Sequence, residues 1–80
     1  MTDKILKLVE KVMEVNENTE HDVFFRIEPH VKWCEIKICE GGWENQPRNR
    51  TECIRFEYDQ YFKKEDYDKM INRLEELLDE

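Results

Sequence analysis

The sequence predicts an α+β fold with the element order α-β-β-β-α, in which a three-stranded antiparallel meander carries both helices on one face. Three observations predict it. Apolar residues recur at helical spacing near each end of the chain, they alternate with polar residues in three central stretches, and polar turns or loops separate the stretches. Two one-sided helices bury most apolar surface when they pack together on the same face of a small sheet. The 80 residues suffice for a single domain, which we expect to span residues 1–80.

The first predicted helix covers residues 3–16 and is amphipathic. Thr2 is a suitable N-cap, and Asp3 places a negative charge beside the positive end of the helix. Lysine and glutamate fill the polar side. The predicted core side, at i, i+3 and i+4 spacing, consists of Ile5, Leu8, Val9, Val12 and Met13.

Residues 22–28 and 31–40 alternate with a period of two, which predicts a β-hairpin closed near Pro29 and His30. A tight Glu28–Val31 loop would place the inward side chains of both strands on one face, as the alternation requires. The predicted register sets Arg26 against Trp33 on the outer face, and on the inner face it sets Phe25 against Cys34 and Val23 against Ile36.

A third strand is predicted at residues 52–58, after a polar loop at 41–50. A register that places Glu35 opposite Arg55 avoids facing like charges. The last helix follows, with acidic residues in its first turn. The predicted inward side chains of these two elements are Ile54, Phe56 and Tyr58 from the strand, and Tyr67, Met70, Ile71, Leu74, Leu77 and Leu78 from the helix.

The net charge of −7 argues against nucleic-acid binding and against adsorption to anionic membranes, because both depend on basic residues. The sequence contains no apolar run long enough to cross a membrane and no secretory pattern at its start. Its cysteines, Cys34, Cys39 and Cys53, are odd in number and show no paired spacing, which suits a reducing compartment. We therefore expect a cytoplasmic protein.

No catalytic or metal-binding set is recognisable, so we expect no enzyme and no cofactor. A zinc site needs about four converging ligands, yet Cys34 and Cys39 lie five residues apart on one predicted strand and face opposite sides. Cys39 and Cys53 can approach each other across the sheet, but neither histidine is placed to activate a thiol. Ordinary packed cysteines explain the pattern best.

The outer sheet face and the loop after it are the candidate protein-binding surface. Exposed aromatic residues among charges of both signs are typical of a protein interface. Two alternatives stay open: Arg26 simply stacks on Trp33, and Trp43 folds back onto the sheet rather than anchoring a partner. The candidate partner-binding residues are Phe24, Arg26, Trp33, Glu35, Lys37, Trp43 and Arg55.

Part of the sequence resembles the double-stranded-RNA-binding domain. Pro29-His30, followed by the strand at residues 32–38, is similar to that family's Pro-x-His loop and second strand, and Lys63-Lys64 precedes the last helix where the family keeps phosphate-binding lysines. The resemblance implies the same order of elements and, as an alternative function, weak nucleic-acid binding through His30, Lys63 and Lys64. The family's alanine-rich last helix is absent, since the chain contains no alanine.

In size, acidity, lack of alanine and mixed surface charge, the chain also resembles small accessory proteins of phages and mobile elements, among them anti-CRISPR proteins. That resemblance implies an acidic inhibitor of a protein with a basic groove. Our expectation is a non-enzymatic protein-binding module of this accessory or inhibitory type. Its partner would be another protein, with a basic one favoured, or a second copy of the chain, so that monomer and homodimer both stay open.

Overall fold

The computed structural model describes residues 1–42, 44 and 51–79, and it confirms the predicted α+β fold. The strands form one antiparallel sheet in the order β1-β2-β3, which is the predicted meander. The elements are α1 (Thr2–Asn18), β1 (Asp22–Glu28), β2 (Trp33–Cys39), β3 (Thr51–Glu57) and α2 (Lys64–Leu78).

Both helices pack on the same face of the sheet, as predicted. Leu8, Val12 and Val15 of α1 belong to the same hydrophobic core as the buried side chains of α2. Apolar burial of this kind is worth about 1.5–3 kcal/mol for each large side chain, so the core is the main stabilising feature of the chain. The sheet contributes Val23, Cys34, Ile36, Ile38, Ile54 and Phe56, and α2 contributes Tyr67, Met70, Ile71, Leu74 and Leu77.

The predicted register between β1 and β2 is wrong by two residues. Phe25 lies opposite Ile36 rather than Cys34, and Val23 lies opposite Ile38 rather than Ile36. A shift of two residues leaves every side chain on its predicted face, because the strand repeat is also two.

The turn geometry explains the shifted register. Lys32 has a φ of 60°, a left-handed conformation that non-glycine residues seldom adopt, and β2 begins only at Trp33. The turn therefore occupies residues 29–32 instead of the predicted Glu28–Val31 loop. As a result Arg26 lies opposite Glu35, and the predicted pairing of Arg26 with Trp33 is also wrong.

The first helix is longer than predicted, and one side of it was assigned wrongly. Met13, predicted in the core, is 49% exposed, whereas Val15 is fully buried. Thr2 lies inside α1, and Met1 precedes the helix without a side-chain cap. The side chain of Ile27, near the end of β1, is also exposed although it points to the helix-covered face.

An aromatic cluster joins α2 to the sheet and to α1. The rings of Phe56, Phe62 and Tyr67 meet edge to face, with centroids 5.5–6.3 Å apart. The Tyr67 hydroxyl donates a 2.9 Å hydrogen bond to the Lys4 carbonyl. Desolvation and the nearby Asp68 raise the pKa of Tyr67 above its ordinary value.

Arg73 fastens α2 to the edge of the sheet. Its Nε donates to Glu52 at 3.0 Å, its Nη1 to Glu76 at 3.1 Å, and its Nη2 to Glu40. Burial alone lowers the pKa of Arg73, but the hydrogen bonds to Glu52 and Glu40 outweigh it and raise the pKa above its ordinary value. A single planar guanidinium thus connects β3, α2 and the residue after β2.

Candidate protein-binding face

The sheet surface opposite the helices, here called the open face, contains most of the predicted partner-binding residues. Both helices lie on the other side, so neither covers it. The structure brings together Phe24, Arg26, Trp33, Glu35, Lys37 and Arg55, and Trp43 lies outside the described residues. The full set is Asp22, Phe24, Arg26 and Glu28 from β1, Trp33, Glu35, Lys37 and Cys39 from β2, and Thr51, Cys53, Arg55 and Glu57 from β3.

The pairing arranges these side chains in rows across the three strands. The middle row alternates in charge, because Glu35 lies between Arg26 and Arg55. This confirms the predicted pairing of Glu35 with Arg55. The neighbouring rows are Phe24, Lys37 and Cys53 on one side and Glu28, Trp33 and Glu57 on the other.

Arg55 contacts two neighbouring side chains, Glu35 and Trp33, at the centre of the open face. Its Nε and Nη2 donate to the same Glu35 oxygen at 3.3 and 2.9 Å. Its guanidinium carbon also lies 3.4 Å from the centroid of the Trp33 ring. A cation–π contact to Trp33 therefore exists, but Arg55 makes it. The alternative in which Arg26 stacks on Trp33 is wrong, since Arg26 pairs with Glu28 at 2.6 Å.

Phe24 is the exposed apolar side chain of the open face. Its side chain is 49% exposed, and the ammonium nitrogen of Lys37 lies 6.0 Å from the ring centroid. Together with Arg26 and Glu35, these two residues line a shallow concavity of about 250 Å³. A partner side chain seated there would contact an aromatic ring inside a rim of charges.

The charge of the open face is nearly balanced, unlike that of the whole chain. Its bases are Arg26, Lys37 and Arg55, whereas the remaining acidity of the chain lies mainly on the helices and at the rim of the sheet. Arg26 and Arg55 each pair with a carboxylate of their own face, although their side chains are 68% and 56% exposed. These pairs restrict the two side chains in part before a partner arrives, which lowers the conformational entropy lost on binding. The acids of the face are Asp22, Glu28, Glu35 and Glu57.

The residues proposed for nucleic-acid binding lie at one end of the molecule. The Tyr58 N–H donates to the Lys32 carbonyl at 2.9 Å, which places the turn containing His30 beside the segment that leads into α2. Lys63 and Lys64 are exposed there, but Lys64 pairs with Asp68 at 3.0 Å. Glu65 and Asp66 follow in the first turn of α2, so the surface offers phosphates a mixed rather than a basic charge.

The cysteines of the described residues are unpaired thiols in three different environments. Cys34 belongs to the core, and burial raises the pKa of its thiol from 9.0 to about 11. Cys39 and Cys53 are diagonal neighbours across β2 and β3, the first buried and the second exposed. Within residues 1–42, 44 and 51–79, no three histidine, cysteine or acidic side chains are grouped to hold a metal ion.

Sequence reasoning missed a second exposed apolar feature, on α1. Leu6 is 61% exposed, and Met13, one heptad later on the same side of the helix, is also exposed. The sequence did contain a signal for this exposed pair, because Leu6 falls outside the apolar stripe predicted for residues 3–16. The open face nevertheless differs from this pair in combining an aromatic ring with ordered charges.

No helix in the described part of the chain is long and apolar enough to cross a membrane. Comparison with known proteins found no match among protein-family models, curated proteins or solved structures.

Proposed function

We propose that the chain is a non-enzymatic protein-binding module of the accessory or inhibitory type, and that its open face contacts the partner. The observation that carries the proposal is the exposed Phe24 ring beside a row of charges already held in place. An apolar centre with a polar rim is the usual composition of a protein interface. The resemblance to small acidic phage proteins, in size and charge, supports an inhibitory role.

The partner we propose is a basic protein rather than a second copy of the chain. With a net charge of −7, the chain attracts basic proteins over long distances and repels its own copies. At contact, an apolar partner side chain would lie on Phe24, and basic groups around it would reach the acidic rim at Asp22, Glu28 and Glu57. Charge steering mainly accelerates association, whereas the Phe24 contact would slow dissociation.

The test compares Phe24→Asp with a matched control, Leu6→Asp. Both substitutions place a carboxylate at an exposed apolar position, one on the open face and the other on α1. Each tagged variant is incubated with lysate of the source cell, and bound proteins are quantified against the unmodified chain. We expect Phe24→Asp to abolish capture of a basic protein that Leu6→Asp still captures, with circular dichroism confirming that both variants are folded.

Two results would contradict the proposal. If Leu6→Asp alone abolishes capture, the binding surface is on α1. If light scattering shows a dimer at micromolar concentration that Phe24→Asp converts to monomer, self-association accounts for the open face.

A further inference from the structure

The two edges of the sheet are unequal, which follows from the direction of the backbone hydrogen bonds. The bond from the Tyr58 N–H to the Lys32 carbonyl makes this pair a hydrogen-bonded one, and such pairs alternate along an antiparallel ladder. In the register of β2 and β3, the groups of Ile54 and Phe56 therefore point towards β2. The N–H and C=O groups that point outward from β3 belong to Thr51, Cys53, Arg55 and Glu57.

The same alternation makes Val23 an outward-pointing residue of β1, and its backbone is already occupied. The Asn16 side-chain amide donates to the Val23 carbonyl at 2.9 Å and accepts from the Val23 N–H at 2.7 Å. Asn16 thus takes the place of a neighbouring strand at this point of the β1 edge. Among the described residues, no hydrogen bond reaches the outward backbone groups of Thr51, Cys53, Arg55 or Glu57.

A groove runs beside β3, between the strand and one side of α2. Its main part has a volume of about 570 Å³, with Ile54 of β3 on one wall. A separate, smaller concavity of about 260 Å³ lies farther along β3, with Arg55, Glu57 and Tyr61 in its lining. A strand added beside β3 would project every second side chain into this groove.

The charge of the main groove is negative. Its two bases are Lys69 and Arg73, and Arg73 already holds Glu52 and Glu76. Lys64 likewise pairs with Asp68. The lining still has two more acids than bases, and Glu65 is in no ion pair of the described residues, so a basic side chain entering the groove would be attracted chiefly to Glu65. The acidic residues that line it are Glu52, Glu65, Asp68 and Glu76.

We propose that the outer edge of β3 binds an extended basic peptide segment of another protein, which joins the sheet as a fourth strand. Backbone hydrogen bonds to Cys53 and Arg55 provide affinity, and lysine or arginine at alternate positions of the peptide pairs with the groove. A second copy of the chain fits less well, because pairing β3 with β3 brings two acidic grooves together. This edge is distinct from the open face and extends the binding surface beyond it.

The experiment uses a fluorescent heptapeptide in which lysine alternates with valine, and the full isotope-labelled chain. In the free chain we expect the backbone amides of Cys53 and Arg55 to exchange with solvent quickly, and those of Ile54 and Phe56 slowly. Added peptide should protect Cys53 and Arg55, with chemical-shift changes along β3. Replacing the peptide lysines by glutamate should abolish binding.

Two comparisons separate strand addition from simple charge attraction. The first is Cys53→Pro against Cys53→Ser, since proline removes the outward N–H while both variants remove the thiol. We expect Cys53→Pro to bind the peptide at least about tenfold more weakly than Cys53→Ser, equivalent to about 1.4 kcal/mol.

The second comparison uses the unmodified chain and two peptides, one N-methylated on the valines and one on the lysines. One of these two peptides should bind at least about tenfold more weakly than the unmethylated peptide, because it lacks the N–H groups that face β3. Phe24→Asp should leave peptide binding unchanged, so this proposal can fail or succeed independently of the open face.

Several outcomes would overturn the proposal. Slow exchange at Cys53 and Arg55 in the free monomer would show that the edge is already covered. If Cys53→Pro and Cys53→Ser bind the peptide equally well, charge attraction alone explains the binding. The same conclusion follows if both methylated peptides bind as well as the unmethylated peptide. Protection of these amides that rises with chain concentration would make a second copy the occupant, and no binding of the lysine peptide at millimolar concentration would exclude the site. If Cys53→Pro does not fold, the methylated peptides decide the question.

Discussion

Arg55 lies over the ring of Trp33, with the guanidinium carbon 3.4 Å from the ring centroid, while the same side chain pairs with Glu35. Trp33 and Arg55 are diagonal neighbours on β2 and β3, at a distance that long side chains readily cross. The contact covers part of the tryptophan and leaves Phe24 as the exposed ring of the open face.

A double-mutant cycle between Trp33→Ala and Arg55→Met should show this contact. We expect a coupling energy of about 0.5–1 kcal/mol in the free energy of unfolding, because cation–π pairs at exposed sites contribute that much. Urea denaturation provides the measurement. The control cycle pairs Trp33→Ala with Arg26→Met, where we expect coupling near zero. Equal coupling in the two cycles would contradict the assignment of Arg55 as the stacking residue.

Leu8 and Leu6 provide a matched test of the core, since they lie two residues apart in α1 and differ in burial, 0% against 61% exposed. Leu8→Ala should lower the free energy of unfolding by about 2–5 kcal/mol, because it leaves a cavity. Leu6→Ala should change it by less than about 0.5 kcal/mol. Thermal and urea unfolding measure both. A large loss for Leu6→Ala would mean that Leu6 is covered in an assembly of chains.

Arg73→Met should destabilise the chain by about 1–3 kcal/mol, because hydrogen bonds to charged groups are stronger than neutral ones and three carboxylates lose their common partner. Arg73→Lys should recover only part of the loss, since an ammonium group cannot reproduce the planar fork. Lys69→Met, one turn earlier on α2, is the control and should have little effect. If the Arg73 and Lys69 variants unfold at the same urea concentration, the network does not contribute to stability.

Cys34 should make the chain less stable at alkaline pH. Burial raises the pKa of its thiol from 9.0 to about 11. The folded state therefore favours the neutral thiol. The contribution of this buried thiol to the free energy of unfolding is complete below pH 9 and is lost as the pH rises towards 11. The rise in pKa from 9.0 to about 11 corresponds to a full loss of about 2.7 kcal/mol, at about 1.4 kcal/mol per pKa unit, of which about 2 kcal/mol should have appeared by pH 10.5. Urea unfolding of the native chain and of Cys34→Val at pH 8 and pH 10.5 measures it. The free energy of unfolding should fall less between the two pH values for Cys34→Val than for the native chain. An equal fall in both would show that Cys34 does not cause the loss of stability.

Duplex RNA should not be retarded by the chain in a mobility-shift assay at low salt. The net charge is −7, and Asp68 already pairs with Lys64. Retardation that disappears in a Lys63→Ala/Lys64→Ala double variant would contradict this prediction and would favour the nucleic-acid-binding alternative.

The element order and the inward faces could be predicted from the sequence because periodicity determines them. The side chains of α2 from Tyr67 to Leu77 repeat at helical spacing and are buried as predicted. Register could not be predicted in the same way, since a shift of two residues preserves every face. The deciding feature was the left-handed Lys32, at a position without the glycine that would signal it.

The sequence also did not predict which residues form the edges of the apolar stripe on α1. Met13 and Val15 lie on opposite sides of Val12 around the helix, and helical spacing alone does not say which of them faces the sheet. For the candidate site, alternation predicted that Phe24, Trp33 and Arg55 share a face. The stacking partner of Trp33 depended on the register, so the alternative that Arg26 stacks on Trp33 is wrong and Arg55 makes the contact instead.

The hydrogen bonds between Asn16 and Val23 have a consequence for how the chain behaves at high concentration. A sheet with two equally accessible edges can join copy after copy into an open filament, because each addition exposes a new edge. Here the β1 edge is interrupted at Val23, so the ladder that could form there is short. Growth of the sheet is therefore directional: one strand can be added at β3, and the opposite side gives poor support for continued polymerisation.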